Sequence, residues 1–166
     1  MTIVEQGKLS AYDCAWPGKF AKELRRLHIL GKDKFIATEH ISSTAVPGLS
    51  AKPIIDILAS VECIRTADYL ITPLCNSGYN TASGFNQTIG KRRWLIRWKN
   101  GHRTHHLHIV EHGSTQWADR LAVRDRLRSD QTLGARYLRL KTELMNKFRS
   151  DREAYTKAKP NSYMAH

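Results

Sequence analysis

Apolar residues recur with two clear periods along this chain. Phe20, Leu24 and Leu27 follow a helical spacing, Pro17 suits a first-turn position and Gly31 suits a C-cap, so a helix is predicted from Pro17 to about Leu30. Lys34 to Ile41 reads as a strand, and the Ser-, Thr-, Pro- and Gly-rich stretch Ser42 to Lys52 as a loop. Pro53 to Ser60 is mostly apolar and reads as a central strand. A helix is predicted over Ile64 to Asn76, weakened in its last turn by Pro73, and a turn around Gly84. Lys91 to Trp98 alternates with period two, with Trp94, Ile96 and Trp98 on one face and Arg93, Leu95 and Arg97 on the other. Thr104 to Glu111 is its partner strand, and Asn100-Gly101 between them is a strong hairpin signal.

The remainder is helical. Thr115 to Ser129 has Ser114 or Thr115 as N-cap, and Leu133, Tyr137, Leu140, Leu144 and Phe148 form a stripe expected to be buried along its whole length. Asp151 can cap a last short helix, Arg152 to Lys159. Strands in the middle and helices at both ends predict an α+β (mixed α/β) domain: a central mixed sheet flanked by helices, with a helical C-terminal part. With no linker or repeat in its 166 residues, the chain is expected to form a single domain over residues 1–166.

Composition narrows the classes. No apolar run approaches the roughly 20 residues of a membrane span, and the first ten residues lack the apolar stretch of a signal peptide. Cys14, Cys63 and Cys75 are scattered, which argues against a disulfide framework or a zinc ribbon. A reducing, cytoplasmic location is therefore expected. The net charge is +12, and it is uneven: residues 1–90 carry 9 basic and 8 acidic side chains, residues 91–166 carry 18 and 7. A basic half favours an anionic partner, either a small polyanion such as a nucleotide or a nucleic acid. A basic, solvated helical surface is the plain alternative.

The stretch Glu39-His40-Ile41-Ser42-Ser43-Thr44-Ala45-Val46-Pro47-Gly48-Leu49, followed by Ala51-Lys52-Pro53-Ile54-Ile55-Asp56-Ile57, is unlike generic core sequence. It is a strand, a hydroxyl-rich turn and a second strand with a lone carboxylate. Such a turn offers N–H and hydroxyl groups to a phosphate, and a nearby carboxylate can hold a divalent cation against it. A surface turn with a capping Asp explains the residues nearly as well.

This stretch resembles the signature of the GrpB family, commonly E-H-I-G-S-T-A-V-P-G-L-x-A-K-P-I-I-D-I. The resemblance continues through Tyr12-Asp13-x-x-Trp16-Pro17-x-x-Phe20, His106-Leu107-His108, Trp117, Leu121, Arg124 to Arg128 and Tyr137 to Lys141. It closes in Asp151-Arg152-Glu153-Ala154-Tyr155, covering residues 11 to 163. It implies a fold of the polymerase-β-like nucleotidyltransferase superfamily, a family mostly uncharacterised, and some members fused to dephospho-coenzyme A kinase.

In that superfamily, nucleotidyl transfer from a nucleoside triphosphate uses a Gly-Ser turn, two carboxylates two residues apart on one strand and a third on a neighbour, holding two metal ions. Here Ser42-Ser43 stands at the Gly-Ser position, Asp56 at the first carboxylate and Leu58 at the second. The third strand offers His106 and His108 on one face. The resemblance thus implies catalytic roles for Asp56, Ser43 and His108, and ligand contacts from Ser42, Ser43, Thr44, Lys52, Arg124 and Arg128, with Lys141 also in the motif. Mg²⁺ or Mn²⁺ is the implied cofactor, and Leu58 and Ser42 weaken transfer itself. A His106-His108-Asp56 set suits Zn²⁺, Mn²⁺ or Fe²⁺ better, with Glu39 and His40 completing or orienting it; two hydrogen-bonded structural histidines are the alternative. Three functions stand open: a nucleotide- or polyanion-binding enzyme or degenerate relative, a non-catalytic nucleic-acid- or partner-binding module using the basic C-terminal helices, and a transition-metal hydrolase.

Overall fold

The computed structural model describes residues 8–81 and 90–147; the predicted turn at Gly84, the end of the apolar stripe at Phe148 and the last helix lie outside them. The elements run α1 (Trp16–Gly31), β1 (Ala37–Ile41), a short 3-10 turn (Ser43–Ala45), β2 (Ile55–Val61), α2 (Ile64–Cys75), β3 (Tyr79–Asn80), β4 (Arg92–Lys99), β5 (His102–Glu111), α3 (Thr115–Ser129) and α4 (Gln131–Lys147). The five strands form one mixed sheet of order β1-β2-β5-β4-β3. Only the central pair, β2 with β5, is parallel. This is the α+β, nucleotidyltransferase-like architecture that the sequence led us to expect.

Local chemistry sets the element boundaries. Pro17 opens α1, where its missing N–H has no helical partner in any case. Ser114 caps α3 by accepting a hydrogen bond from the Trp117 N–H at 3.3 Å. Asn100 and Gly101 have φ of +52° and +77°, the left-handed pair that a two-residue hairpin turn needs. A bulge between Arg97 and Trp98 shifts the register near this turn. Pro73 lies inside α2, in its last turn, and the helix continues through it to Cys75.

The sheet is covered on both faces. One face carries Ile55, Ile57, Ala59 and Val61 with Leu95, Leu107 and Ile109, packed under Trp16 and Leu27 of α1 and Leu70 and Leu74 of α2. The other carries a small apolar group, Ile41, Leu58 and Val110, against Trp117 and Leu121 of α3. A third cluster, Val46, Leu49, Val123, Leu127 and Tyr137, ties the loop after β1 to α3 and α4. The stripe on α4 is less buried than its spacing suggests: Tyr137 is 3 % exposed, whereas Leu133, Leu140 and Leu144 are half-buried. Among the described residues the helix packs against the loop and α3, through Val46, Leu49, Val123 and Leu127, and not against a full layer.

Candidate functional site

Strand alternation on the α3 side of the sheet creates the site. Register places Ile41, Asp56, His106 and Ile96 across one row, and Glu39, Leu58, His108 and Trp94 across the next. Because β2 and β5 run parallel and in register, Asp56 stands directly opposite His106. Asp56 Oδ1 has His106 Nδ1 at 3.3 Å and His108 Nε2 at 3.7 Å. Both separations are beyond the usual span of a good N–H···O bond. The far nitrogens, His106 Nε2 and His108 Nδ1, are buried and have no hydrogen-bond partner. Trp94 closes the cluster on the β4 side, its ring nearly parallel to His108 at 6.4 Å and edge-on to His106 at 5.5 Å.

Electrostatics fix the protonation states. Burial pulls the His108 imidazole down to about 3, with Arg120 and Arg92 adding to the effect and Asp56 opposing it. Burial works to raise the Asp56 carboxyl, but its contacts with His106 and His108 outweigh that and hold it well below its ordinary value. At neutral pH this part of the sheet presents a carboxylate beside a neutral His108.

The loop residues Ser43 and Thr44 are engaged by partners within the fold. Ser42 has φ +63° and ψ −163°, a region that is essentially glycine's own. The chain therefore keeps the backbone of a Gly-Ser turn although a Cβ is present. Ser43 is 3 % exposed, and its hydroxyl accepts a hydrogen bond from Lys141 Nζ at 3.1 Å. Thr44 is equally buried, its hydroxyl bonded to His40 Nε2 at 2.9 Å. Lys52 is half-buried, three residues before β2.

His40 does not join Asp56. Its register partner is Ile57, so its ring lies on the α1 side, stacked on Phe20 at 4.9 Å, and burial lowers its pKa to about 4. Glu39 does share the Asp56 face, but Arg124 Nη1 donates to it at 2.6 Å and to the His40 carbonyl at 3.2 Å. Burial weakens the Arg124 charge, but the bonds to Glu39 and Asp125 more than restore it. Arg128 donates to the Ala45 carbonyl at 2.8 Å. Three cations of the basic half, Arg124, Arg128 and Lys141, thus bind the loop to the helices.

Arg92 and Arg120 also approach this face. Arg92 shares a strand face with Trp94, and Arg120 lies on α3 between Trp117 and Leu121, which pack on that face. Arg120 continues the four-residue row of Arg124 and Arg128 that is visible in the sequence as a possible guide for an anion; placing Arg92 requires knowing which face α3 covers, and no local pattern carries that.

Comparison with known proteins now places the chain. The family described as GrpB protein matches residues 7–165. The chain belongs to the GrpB family. It is 35% identical over 158 residues to the UPF0157 protein SCO7215 of Streptomyces coelicolor, covering 95% of this chain and 80% of that one. The match to UPF0157 protein YqkA of Bacillus subtilis is also 35%, over 134 residues, but spans 38% of that longer protein. A shorter stretch of 87 residues is 36% identical to part of a dephospho-CoA kinase of Mycobacterium tuberculosis, covering 51% of this chain and 21% of the kinase. Among solved structures, the conserved protein GrpB from Enterococcus faecalis superposes with a TM-score of 0.82 at 33% identity, covering 95% of this chain and 94% of that one.

The donor set can be tested against the metals the fold suggests. Leu58 is fully buried in the apolar group under α3, so β2 carries no second carboxylate two residues along from Asp56, and Glu39 on the same face is held by Arg124. Two Mg²⁺ ions, which need several hard oxygen ligands, do not fit these residues. One borderline ion fits them in kind: a carboxylate oxygen and two imidazoles on one face. Tetrahedral ligands at about 2.0–2.2 Å from an ion stand roughly 3.4 Å apart, close to the separations about Asp56 Oδ1. Among the described residues no group of three His, Cys, Asp or Glu is already arranged as a metal site, so such an ion requires small side-chain movements. Nor is any helix among them long and apolar enough to cross a membrane.

Proposed function

We propose that this GrpB-family protein binds a small phosphorylated ligand of nucleotide type, together with one divalent cation, on the α3-side face of the sheet. The observation that carries the reading is the unfinished Asp56 cluster. A half-buried carboxylate faces two imidazoles beyond good hydrogen-bond range, and two further ring nitrogens are buried without partners. Buried polar atoms are rarely left so in a finished structural network. Asp56, His106 and His108 would hold the ion, and bound there it would act as a Lewis acid on a phosphoryl oxygen. The protein's own share is positional. Arg128 and Lys141 fix the loop of Ser42 to Leu49, Arg124 ties α3 to the end of β1, and α3 excludes water from the Leu58 side.

Standard two-metal nucleotidyl transfer is not part of this reading, because Leu58 removes one of the carboxylates it needs. Nucleic-acid binding by the C-terminal helices has less support, since Arg124, Arg128 and Lys141 are engaged within the fold. Calorimetric titration of ATP in the presence of Mn²⁺ or Zn²⁺ tests the proposal. Saturable, metal-dependent binding that Asp56→Ala abolishes is expected. No nucleotide binding with either metal by the folded protein would contradict it.

A further inference from the structure

Three arginines on β4 show how this fold treats a desolvated guanidinium. Arg93 reaches Asp68 of α2 at 2.7 Å, and Arg97 reaches Glu23 of α1 at 2.5 Å. Both lie on the α1/α2 face and both are charge-paired. Arg92 is on the opposite face, beside Val110, beneath the stretch of α3 that carries Trp117, Arg120 and Leu121. Arg92 and Arg120 are each half-buried, yet neither guanidinium makes a hydrogen bond or ion pair with another described residue.

Among the described residues, the carboxylates of this sheet face, Glu39 and Asp56, form no ion pair with either arginine. Glu39 is taken by Arg124. Asp56 attracts Arg120 without forming an ion pair with it. The two arginines oppose each other's charge: burial pulls Arg92 down to about 10, and Arg120 adds to that. An uncompensated like-charge pair in a partly dry site costs free energy, and a bound anion between the two forks removes that cost.

We infer that Arg92 and Arg120 form a phosphoryl-binding subsite at the β5 C-terminal end of the same face. This deepens the reading above and rests on it for the ligand's other end. Along β5, four residues separate Val110, beside Arg92, from His106, beside Asp56. That is about 13 Å at strand rise, with Trp94 and His108 between. This is a backbone span, and the long Arg120 side chain is near enough to Asp56 to be attracted by it; the ligand class is a phosphorylated molecule with one phosphoryl group near Asp56 and another anionic group at the arginine pair. Planar guanidinium forks suit the oxygens of a phosphoryl group.

The test uses inorganic pyrophosphate in metal-free buffer containing chelator, at constant ionic strength, by calorimetry on the full chain. Arg92→Gln and Arg120→Gln should each weaken binding about tenfold or more, while the ligand-free melting temperature stays at or above wild type because a repulsion is removed. Arg93→Gln, which loses a paired arginine, should leave pyrophosphate affinity unchanged. Asp56→Asn abolishes the metal-dependent response of the first proposal but should retain or tighten metal-free pyrophosphate binding, so the two readings fail separately. Wild-type affinity in both arginine variants, or no pyrophosphate binding by wild type, would overturn the subsite. Tighter binding of tricarballylate than of pyrophosphate would overturn its phosphoryl assignment.

Discussion

Two carboxylates, a buried one and a half-buried one on opposite faces of the same sheet, are treated in opposite ways. Glu23 on α1 is 2 % exposed, and its surroundings are complete. Tyr79 Oη donates to Oε1 at 2.7 Å, Arg97 Nη1 donates to Oε2 at 2.5 Å, and Arg26 approaches at 3.5 Å. Burial and the Glu23 charge both push the Tyr79 phenol up, so it stays a donor. Among the described residues Asp56 has imidazole partners alone, at 3.3 and 3.7 Å, with orphaned nitrogens behind them. A satisfied network rigidifies a fold, whereas an unsatisfied one implies a missing partner. The Glu23 side thus reads as structure, and the Asp56 side is where we propose the function.

The sharpest way to break that comparison is to neutralise each carboxylate with its own amide. Glu23→Gln strands Arg97 and Arg26 beside a buried neutral group, at an expected cost of about 3–5 kcal/mol. Asp56→Asn strands no paired cation, and its expected cost is about 1–2 kcal/mol. Urea denaturation of both variants checks the order, and equal losses would remove the distinction.

Acid should come next in size. His40 is buried and His105 mostly buried, and both are held near 4, against about 6.5 in an unfolded chain. The folded state keeps them neutral, so the unfolded state binds more protons between these values. Their contribution to stability is complete above pH 6.5 and is lost as pH falls from 6.5 towards 4. The melting temperature should drop through that window, and His105→Gln should flatten the drop. A flat profile from pH 7 to 4.5 would contradict the assignment.

The smallest effect concerns the loop. Ser42 holds a conformation whose cost to a residue with a Cβ is about 1–3 kcal/mol, partly offset by the extra chain entropy of glycine. Ser42→Gly should therefore stabilise by about 1 kcal/mol, or roughly 2–4 °C in melting temperature. A lower melting temperature would show that the Ser42 side chain contributes something its backbone does not reveal.

These contrasts also show what the sequence could carry. The alternation in Lys91 to Trp98 and the Asn100-Gly101 turn were local, so the hairpin and its two faces were legible. Period two put His106 and His108 on one side of one strand, and the family motif singled out Asp56 for the same site. The side to which His40 belongs was not legible, because it follows from the antiparallel register that sets Ile41, not His40, opposite Asp56. Nor were the fates of Arg124 and Arg128, since their partners, Glu39 and the Ala45 carbonyl, lie more than eighty residues away. Tertiary placement decides whether a cation is a tie or a ligand group, and single-strand periodicity does not contain it.

The histidine rings offer the most direct measurement. Nitrogen-15 spectra of the imidazoles, recorded while Zn²⁺ and ADP are added, read both faces at once. His106 and His108 belong to the open cluster, and His105, whose Nδ1 lies 2.8 Å from the Thr104 hydroxyl, belongs to the closed one. The account predicts large shifts of the His106 and His108 ring nitrogens with His105 unchanged, and loss of those shifts in Asp56→Asn. Unmoved His106 and His108 signals in the folded protein at saturating Zn²⁺ and ADP would contradict it.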